Sequence, residues 1–117
     1  MILPTPFQQK VYTLCSQIPS GKVVTYQDIA HTLHINSAQA IGQALKCNPY
    51  APQVPCHRVI KSDGSIGGFM GKTTEVYINK KIQLLRAEGI NITNNRIDLT
   101  KYHYYFSPKI FKHDSKH

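Results

Sequence analysis

Acidic residues are scarce in this chain. It carries six Asp and Glu against fourteen Lys and Arg, a formal net charge of +8 with a pI near 9.5. Residues 1–71 hold five Lys and Arg against two acids, and residues 72–117 hold nine against four. This balance points to a polyanionic partner, nucleic acid first, with solubility alone as the plain alternative. Long apolar runs are also missing. None approaches the roughly 20 residues that span a bilayer. The start, "MILPTPFQQK", lacks the basic region and long apolar core of a secretory signal. The expectation is therefore no membrane partner and an intracellular location, cytoplasmic or, in a eukaryote, nuclear. Cysteines are few. Cys15, Cys47 and Cys56 form no CxxC pair, and their odd number argues against a complete internal disulfide framework. At least one thiol is free, which fits a reducing compartment. The histidines show no finger-type spacing, so no metal is expected. "IGGFMGK" at 66–72 does not match the GxxxxGK[ST] pattern of a phosphate-binding loop. It reads instead as a mobile or close-fitting lid, and no cofactor is expected.

What is present suits one small domain. The 117 residues allow a modest core. The expected layout is a single domain over 1–106 and a basic, frayed tail over 107–117. Few residues precede the first helix, so no N-terminal domain is expected. That helix runs over 6–18, with Thr5 as cap, Pro6 in its first position and Phe7, Val11, Leu14 and Ile18 as its buried stripe. Cys15 lies beside the stripe and reads as a core thiol. "KVVTY" is extended. Thr25 then starts a second helix, and Asp28, three residues on, comes close to a capping box. Asn36 or Ser37 caps a third helix, which Asn48-Pro49 closes. Two short helices across a tight break suggest a helix-turn-helix. A long helix follows, capped by Thr73 and stopped by Gly89, with Ile78, Ile82 and Leu85 buried. "INITNNRIDL" resembles a hairpin turning at Asn94-Asn95. The class is mainly α with short β segments.

The third helix divides into faces. Ala38, Ile41 and Leu45 form its core stripe, Gln39, Gln43 and Lys46 lie opposite, and Ala40, Gly42 and Ala44 sit between. A helical glycine costs roughly 1 kcal/mol relative to alanine. Close approach of another backbone compensates, either from within the protein or from DNA, and both readings stand at this level.

"PQVPCHRVI", residues 52–60, sets Cys56, His57 and Arg58 side by side. Cysteine attacks as the thiolate, a few per cent of a free thiol at neutral pH, and a nearby imidazole or guanidinium raises that fraction. Adjacency alone does not bring side chains together, because neighbours on an extended segment face opposite ways. A His57 acting as base would do so through a water or on a bent backbone. A histidine base wants an acid to orient it. Of the six acids, Glu88, at the end of the long helix, is the best placed. A lone Cys-His pair is usually structural, and the wider context has to decide.

"PCHRVI" preceded by "NP", with "SAQAIGQAL" upstream and "GSIGGFMG" downstream, resembles the DNA-binding catalytic domain of the O6-alkylguanine-DNA alkyltransferases, the methylated-DNA–protein-cysteine methyltransferases. That domain is the C-terminal one in the family. The similarity runs from about Thr5 to Gly89 and implies a helix-turn-helix, winged-helix-like domain. By position, Cys56 matches the alkyl acceptor, His57 the histidine that activates it through water, and Glu88 the acid that orients the histidine. Asn48 matches the asparagine that supports the turn into the site. Tyr26 matches the tyrosine that rotates the target phosphate and assists the leaving guanine. Arg58 matches a structural arginine. Val54, Pro55, Gly68, Phe69 and Met70 match the base pocket. Gln39, Ala40, Gly42, Gln43 and Lys46 match the DNA-binding face.

The implied function is DNA repair by single-turnover transfer of a methyl or alkyl group from O6-alkylguanine to cysteine. The implied partner is double-stranded DNA carrying that lesion, met by a monomer that flips the base out. One departure stands out. The family's intercalating arginine is replaced by Gln39, which lacks the charge and planar fork and implies weaker duplex flipping. Three alternatives remain. One is a non-enzymatic lesion sensor, like the alkyltransferase-like proteins, which commonly carry tryptophan in place of Cys56. The second is a helix-turn-helix transcription regulator, and the third a cysteine hydrolase.

Overall fold

A computed structural model describes residues 3–50 and 53–107. Ala51 and Pro52 of the proline-rich loop lie outside the described residues, as does the expected basic tail beyond Ser107. Helix α1 spans Pro6–Gln17. Thr5 caps it in a full capping box, its hydroxyl accepting from the Gln8 N–H while the Gln8 side chain accepts from the Thr5 N–H. Strand β1 (Val24–Thr25) leads straight into α2 (Tyr26–Thr32), where Thr25 and Asp28 form a second capping box. A turn through His34, in a left-handed conformation at φ 60°, connects to α3 (Ala38–Lys46). Ser37, not Asn36, caps α3 by accepting from the Ala40 N–H.

The segment after α3 returns to the centre. Cys56–Arg58 form one 3-10 turn, followed by strand β2 (Val59–Ile60). β2 pairs in parallel with β1, Val24 opposite Val59 and Thr25 opposite Ile60. This short parallel pairing holds the 3-10 turn at one end of the two strands and the first residue of α2 at the other, level with Lys61. Helix α4 spans Glu75–Ala87. Its N-cap is Thr74 rather than the expected Thr73, and the hydroxyl makes no capping bond. Two adjacent threonines offer the same chemistry, and sequence alone cannot rank them. Gly89, at φ +90°, ends α4 as expected.

Beyond α4 the chain wraps the sheet. Thr93 and Arg96 bond each other in both directions around Asn94 and Asn95, both left-handed, which is a type I′ turn with a single rung. The Ile97 N–H then bonds Gly64, and α5 (Leu99–Tyr102) follows. Val23 exchanges bonds with Tyr102 and Tyr104, so the segment after α5 flanks the sheet on its other edge. One apolar cluster joins α1, α2 and α3, and a second joins Val23, Ile60, Ile66, α4 and the 90–102 segment. No helix among the described residues is long and apolar enough to cross a membrane.

Two assignments on α3 are corrected by packing. Ala44 is buried, and its carbonyl accepts from the Tyr12 hydroxyl at 2.7 Å, so it faces inward. Ala38 is only half-buried. The core stripe is Ile41, Ala44 and Leu45.

Candidate active site

The 3-10 turn bends the backbone at Cys56–Arg58, one of the two routes open from the sequence. Cys56 and His57 are thereby both buried, and their environments differ. Cys56 is 6 % exposed and lines a cavity of about 200 Å³. Tyr26, Gly42, Leu45, Phe69 and Met70 also line it. Gly68 lines it too, whereas Val54 and Pro55 do not. Val54 packs on the helical core and Pro55 is buried. Phe69 and Lys72 exchange two backbone hydrogen bonds, so the glycine-rich loop is a close-fitting wall around a tight turn. Met70 occupies that turn at φ 54°, a conformation costing a side-chain-bearing residue about 1–2 kcal/mol. A Cβ on Gly68 would stand 2.7 Å from the Lys72 carbonyl oxygen, and only glycine fits there.

Asn48 ties the end of α3 to the segment that leads into the 3-10 turn. Its Oδ1 accepts from the Tyr50 N–H at 2.8 Å and its Nδ2 donates to the Val54 carbonyl at 3.1 Å. Burial pushes the Cys56 thiol above its ordinary value, while the hydrogen bond with Asn48 and the charge of Lys81 work the other way. The resting state is a protonated thiol.

His57 faces Glu88, with Nε2 2.8 Å from Oε2. Arg58 Nη2 donates to the same oxygen at 2.7 Å, and its Nε lies 3.0 Å from Oε1. The Gly21 N–H donates to Oε1 at 3.1 Å. Arg58 Nη1 reaches the Ile18 carbonyl at 2.7 Å, tying the site to the end of α1. Burial works to raise the Glu88 carboxyl, but the bonds from Arg58, His57 and Gly21 outweigh it and hold it down at about 2. Burial lowers the His57 imidazole, more than Glu88 raises it. A neutral imidazole facing a carboxylate must donate through Nε2, which leaves Nδ1 as a lone-pair acceptor.

The cation that acts on the thiol was not among the sequence candidates. Lys81, on α4, is completely buried. Its ammonium donates to the carbonyls of Val59 and Ile66 at 2.7 Å and of Gly68 at 2.9 Å, and it stands 5.9 Å from the Tyr26 ring. Burial pushes it down to about 7, with Cys56 pulling the other way. Three acceptors match the three N–H donors that only the ammonium has. Arg58, by contrast, is committed to Glu88 and Ile18. The signal in sequence was Lys81's position, three residues after Ile78 and four before Leu85, inside the buried stripe.

Tyr26 is the first residue of α2, and burial pushes its phenol up to about 12, so it stays protonated. Gln39, Gln43 and Lys46 are exposed along α3, with Ala40 and Gly42 half-exposed between them. A Cβ on Gly42 would meet nothing within 4 Å, so no internal packing demands this glycine. Among the described residues, no cluster of three His, Cys, Asp or Glu side chains comes together as a metal site requires.

The profile of the family described as 6-O-methylguanine DNA methyltransferase, DNA binding domain, matches residues 6–90. The chain belongs to that family. It is 43 % identical over 95 residues to the bifunctional methyltransferase/endonuclease of Picrophilus torridus, covering 80 % of this chain and 30 % of that protein. It is 44 % identical over 87 residues to a methylated-DNA–protein-cysteine methyltransferase of Thermococcus kodakarensis, covering 74 % of this chain and 46 % of the relative. The chain therefore spans less than half the length of these relatives. Among solved structures, S. pombe Atl1 in complex with damaged DNA containing O6-carboxymethylguanine superposes with a TM-score of 0.76 at 30 % identity. That likeness covers 91 % of this chain and all of the other.

Proposed function

We propose that this chain is a single-turnover DNA alkyltransferase that moves an alkyl group from O6-alkylguanine to Cys56. The observation that carries the reading is a thiol that lines a cavity and feels the charge of the buried Lys81, next in sequence to a His57 whose Nε2 is held by Glu88. His57 Nδ1 takes the thiol proton through a bridging water. The thiolate sulfur then attacks the alkyl carbon, the S–C bond forms and the C–O6 bond breaks. The electron pair leaves with guanine, whose developing charge is met by the protonated Tyr26 hydroxyl. The product thioether is stable, so each molecule reacts once. The purine reaches Cys56 only if it leaves the stack, at a cost of a few kcal/mol, and the exposed side of α3 is the face that enters the groove. In this reading Asn48 fixes the turn, Arg58 holds Glu88, and Gly68, Phe69 and Met70 form the pocket wall.

A lesion sensor is the second reading, supported by the extent of the likeness to Atl1. A sensor has no use for a thiol in the cavity. Intact mass after mixing with an oligonucleotide containing O6-methylguanine decides between the two. Transfer adds one methyl group to the peptide holding Cys56, and Cys56→Ser abolishes the gain. Tight binding with no added mass would refute the transferase.

A further inference from the structure

A second cavity, of about 450 Å³, opens beside the first. Tyr26, Gly42 and Gly68 line both, so the two are contiguous. Gln27, Lys61, Ser62 and Asp63 complete the polar part of its lining. The stem of Lys61 lies 3.4 Å, and the Tyr26 ring and hydroxyl 3.7 Å, from where a Gly67 Cβ would stand, so Lys61 and Tyr26 are neighbours across that glycine. The Lys61 side chain enters none of the ion pairs among the described residues. Asp63 is differently placed. Its Oδ1 accepts from the Ser65 N–H and hydroxyl at 2.9 and 2.7 Å. Its Oδ2 faces Arg96 Nη2 at 3.8 Å, and Arg96 Nη1 donates to the Asp63 carbonyl at 2.8 Å. Arg96 belongs to the segment after residue 90, beyond the span that the family profile matches.

We infer that this second cavity seats a backbone phosphodiester of the bound DNA strand, with Lys61 contacting the phosphate and Arg96 offsetting the Asp63 carboxylate in the same wall. The inference rests on the reading above. A purine placed against Cys56 carries its sugar and phosphate out past Tyr26, Gly42 and Gly68, into the space lined by Lys61, which forms no ion pair among the described residues. Ammonium-to-phosphate contacts position a strand without reading its sequence. An uncompensated Asp63 would repel that phosphate, so the segment after residue 90 supplies the countercharge.

The test is fluorescence-anisotropy titration of the full chain with a lesion-containing duplex across a range of salt. Each neutralised phosphate contributes about 0.9 to the slope of log K against log[salt]. Lys61→Ala is expected to lower the slope by about that amount. Arg96→Ala is expected to weaken binding, and Asp63→Asn is expected to restore it in the Arg96→Ala background but not in the Lys61→Ala background. An unchanged slope for Lys61→Ala, or no rescue of Arg96→Ala, overturns the inference. Because titration reads binding alone, these shifts in a protein that transfers no methyl group would uphold the phosphate seat and refute only the transferase.

Discussion

Replacing Glu88 by Gln tests the electrostatic centre of the site. Every group that meets the Glu88 side chain is a donor: His57 Nε2, Arg58 Nε and Nη2, and the Gly21 N–H. A glutamine must aim its NH2 group at one set of these donors whichever way it is turned. The size of the loss follows from the carboxyl, held at about 2 against an ordinary 4.5. At about 1.4 kcal/mol per pH unit, this is about 3 kcal/mol of stability at pH 7. That value agrees with the roughly 3–5 kcal/mol seen when one partner of a buried pair is removed. At about 4 °C per kcal/mol for a chain of this length, the melting temperature falls by about 12 °C.

The sign with pH separates charge from packing. Glu88 has a depressed pKa, so its contribution is complete above 4.5 and is lost as pH falls through about 2. The stability gap between wild type and Glu88→Gln, measured by denaturant unfolding, should be about 3 kcal/mol at pH 5 and about 1 kcal/mol at pH 3. A gap that is the same at pH 3 as at pH 7 would show that the loss is steric, and the assignment of charge would be wrong. Transfer should also slow by about a hundredfold or more, because the amide favours the wrong imidazole tautomer and removes the base.

Gly42→Ala should raise stability by about 1 kcal/mol, since its Cβ meets nothing within 4 Å, while weakening affinity for duplex DNA. Thermal melting and anisotropy on the same sample check both, and unchanged DNA affinity would remove the groove from the explanation of this glycine. Gln39→Arg, on the exposed face of α3, should speed transfer from duplex DNA but not from free O6-methylguanine base. Equal rates for the two proteins on duplex would dismiss the intercalation argument.

Local chemistry was legible and long-range placement was not. Thr5, Thr25 and Ser37 announce their helices because a cap needs only the next three residues. The β1–β2 pairing joins residues 35 positions apart through two-residue strands, which leave no periodic trace. Helix α5 is too short for a stripe. Cys56 and His57 stood out by composition, and Glu88 by the scarcity of acids together with the family resemblance. Lys81 did not, because a lysine in an apolar stripe reads as a solvated edge until three carbonyls are seen to surround it. The pairing of His103 with Asp28 at 2.6 Å, and of Arg96 with Asp63, likewise depend on how the 91–107 segment wraps the sheet.

Under the proposed chemistry, the charges around Cys56 favour ionising a thiol that burial keeps protonated. Without the thiolate, the immediate group holds two cations, Lys81 and Arg58, against one anion, Glu88. The surplus cation is the one that burial most disfavours. Proton transfer from Cys56 to His57 leaves the net charge of the group unchanged and sets a thiolate against Lys81 in a largely buried site, where attraction is stronger than in water. Transferring the proton to His57 makes Glu88 the counterion of an imidazolium, so neither half of the new ion pair stands alone. Alkylation under the proposed chemistry removes the thiolate for good. Lys81 is then left buried without a countercharge, held only by Val59, Ile66 and Gly68 carbonyls, two of which belong to the segment that walls the cavity.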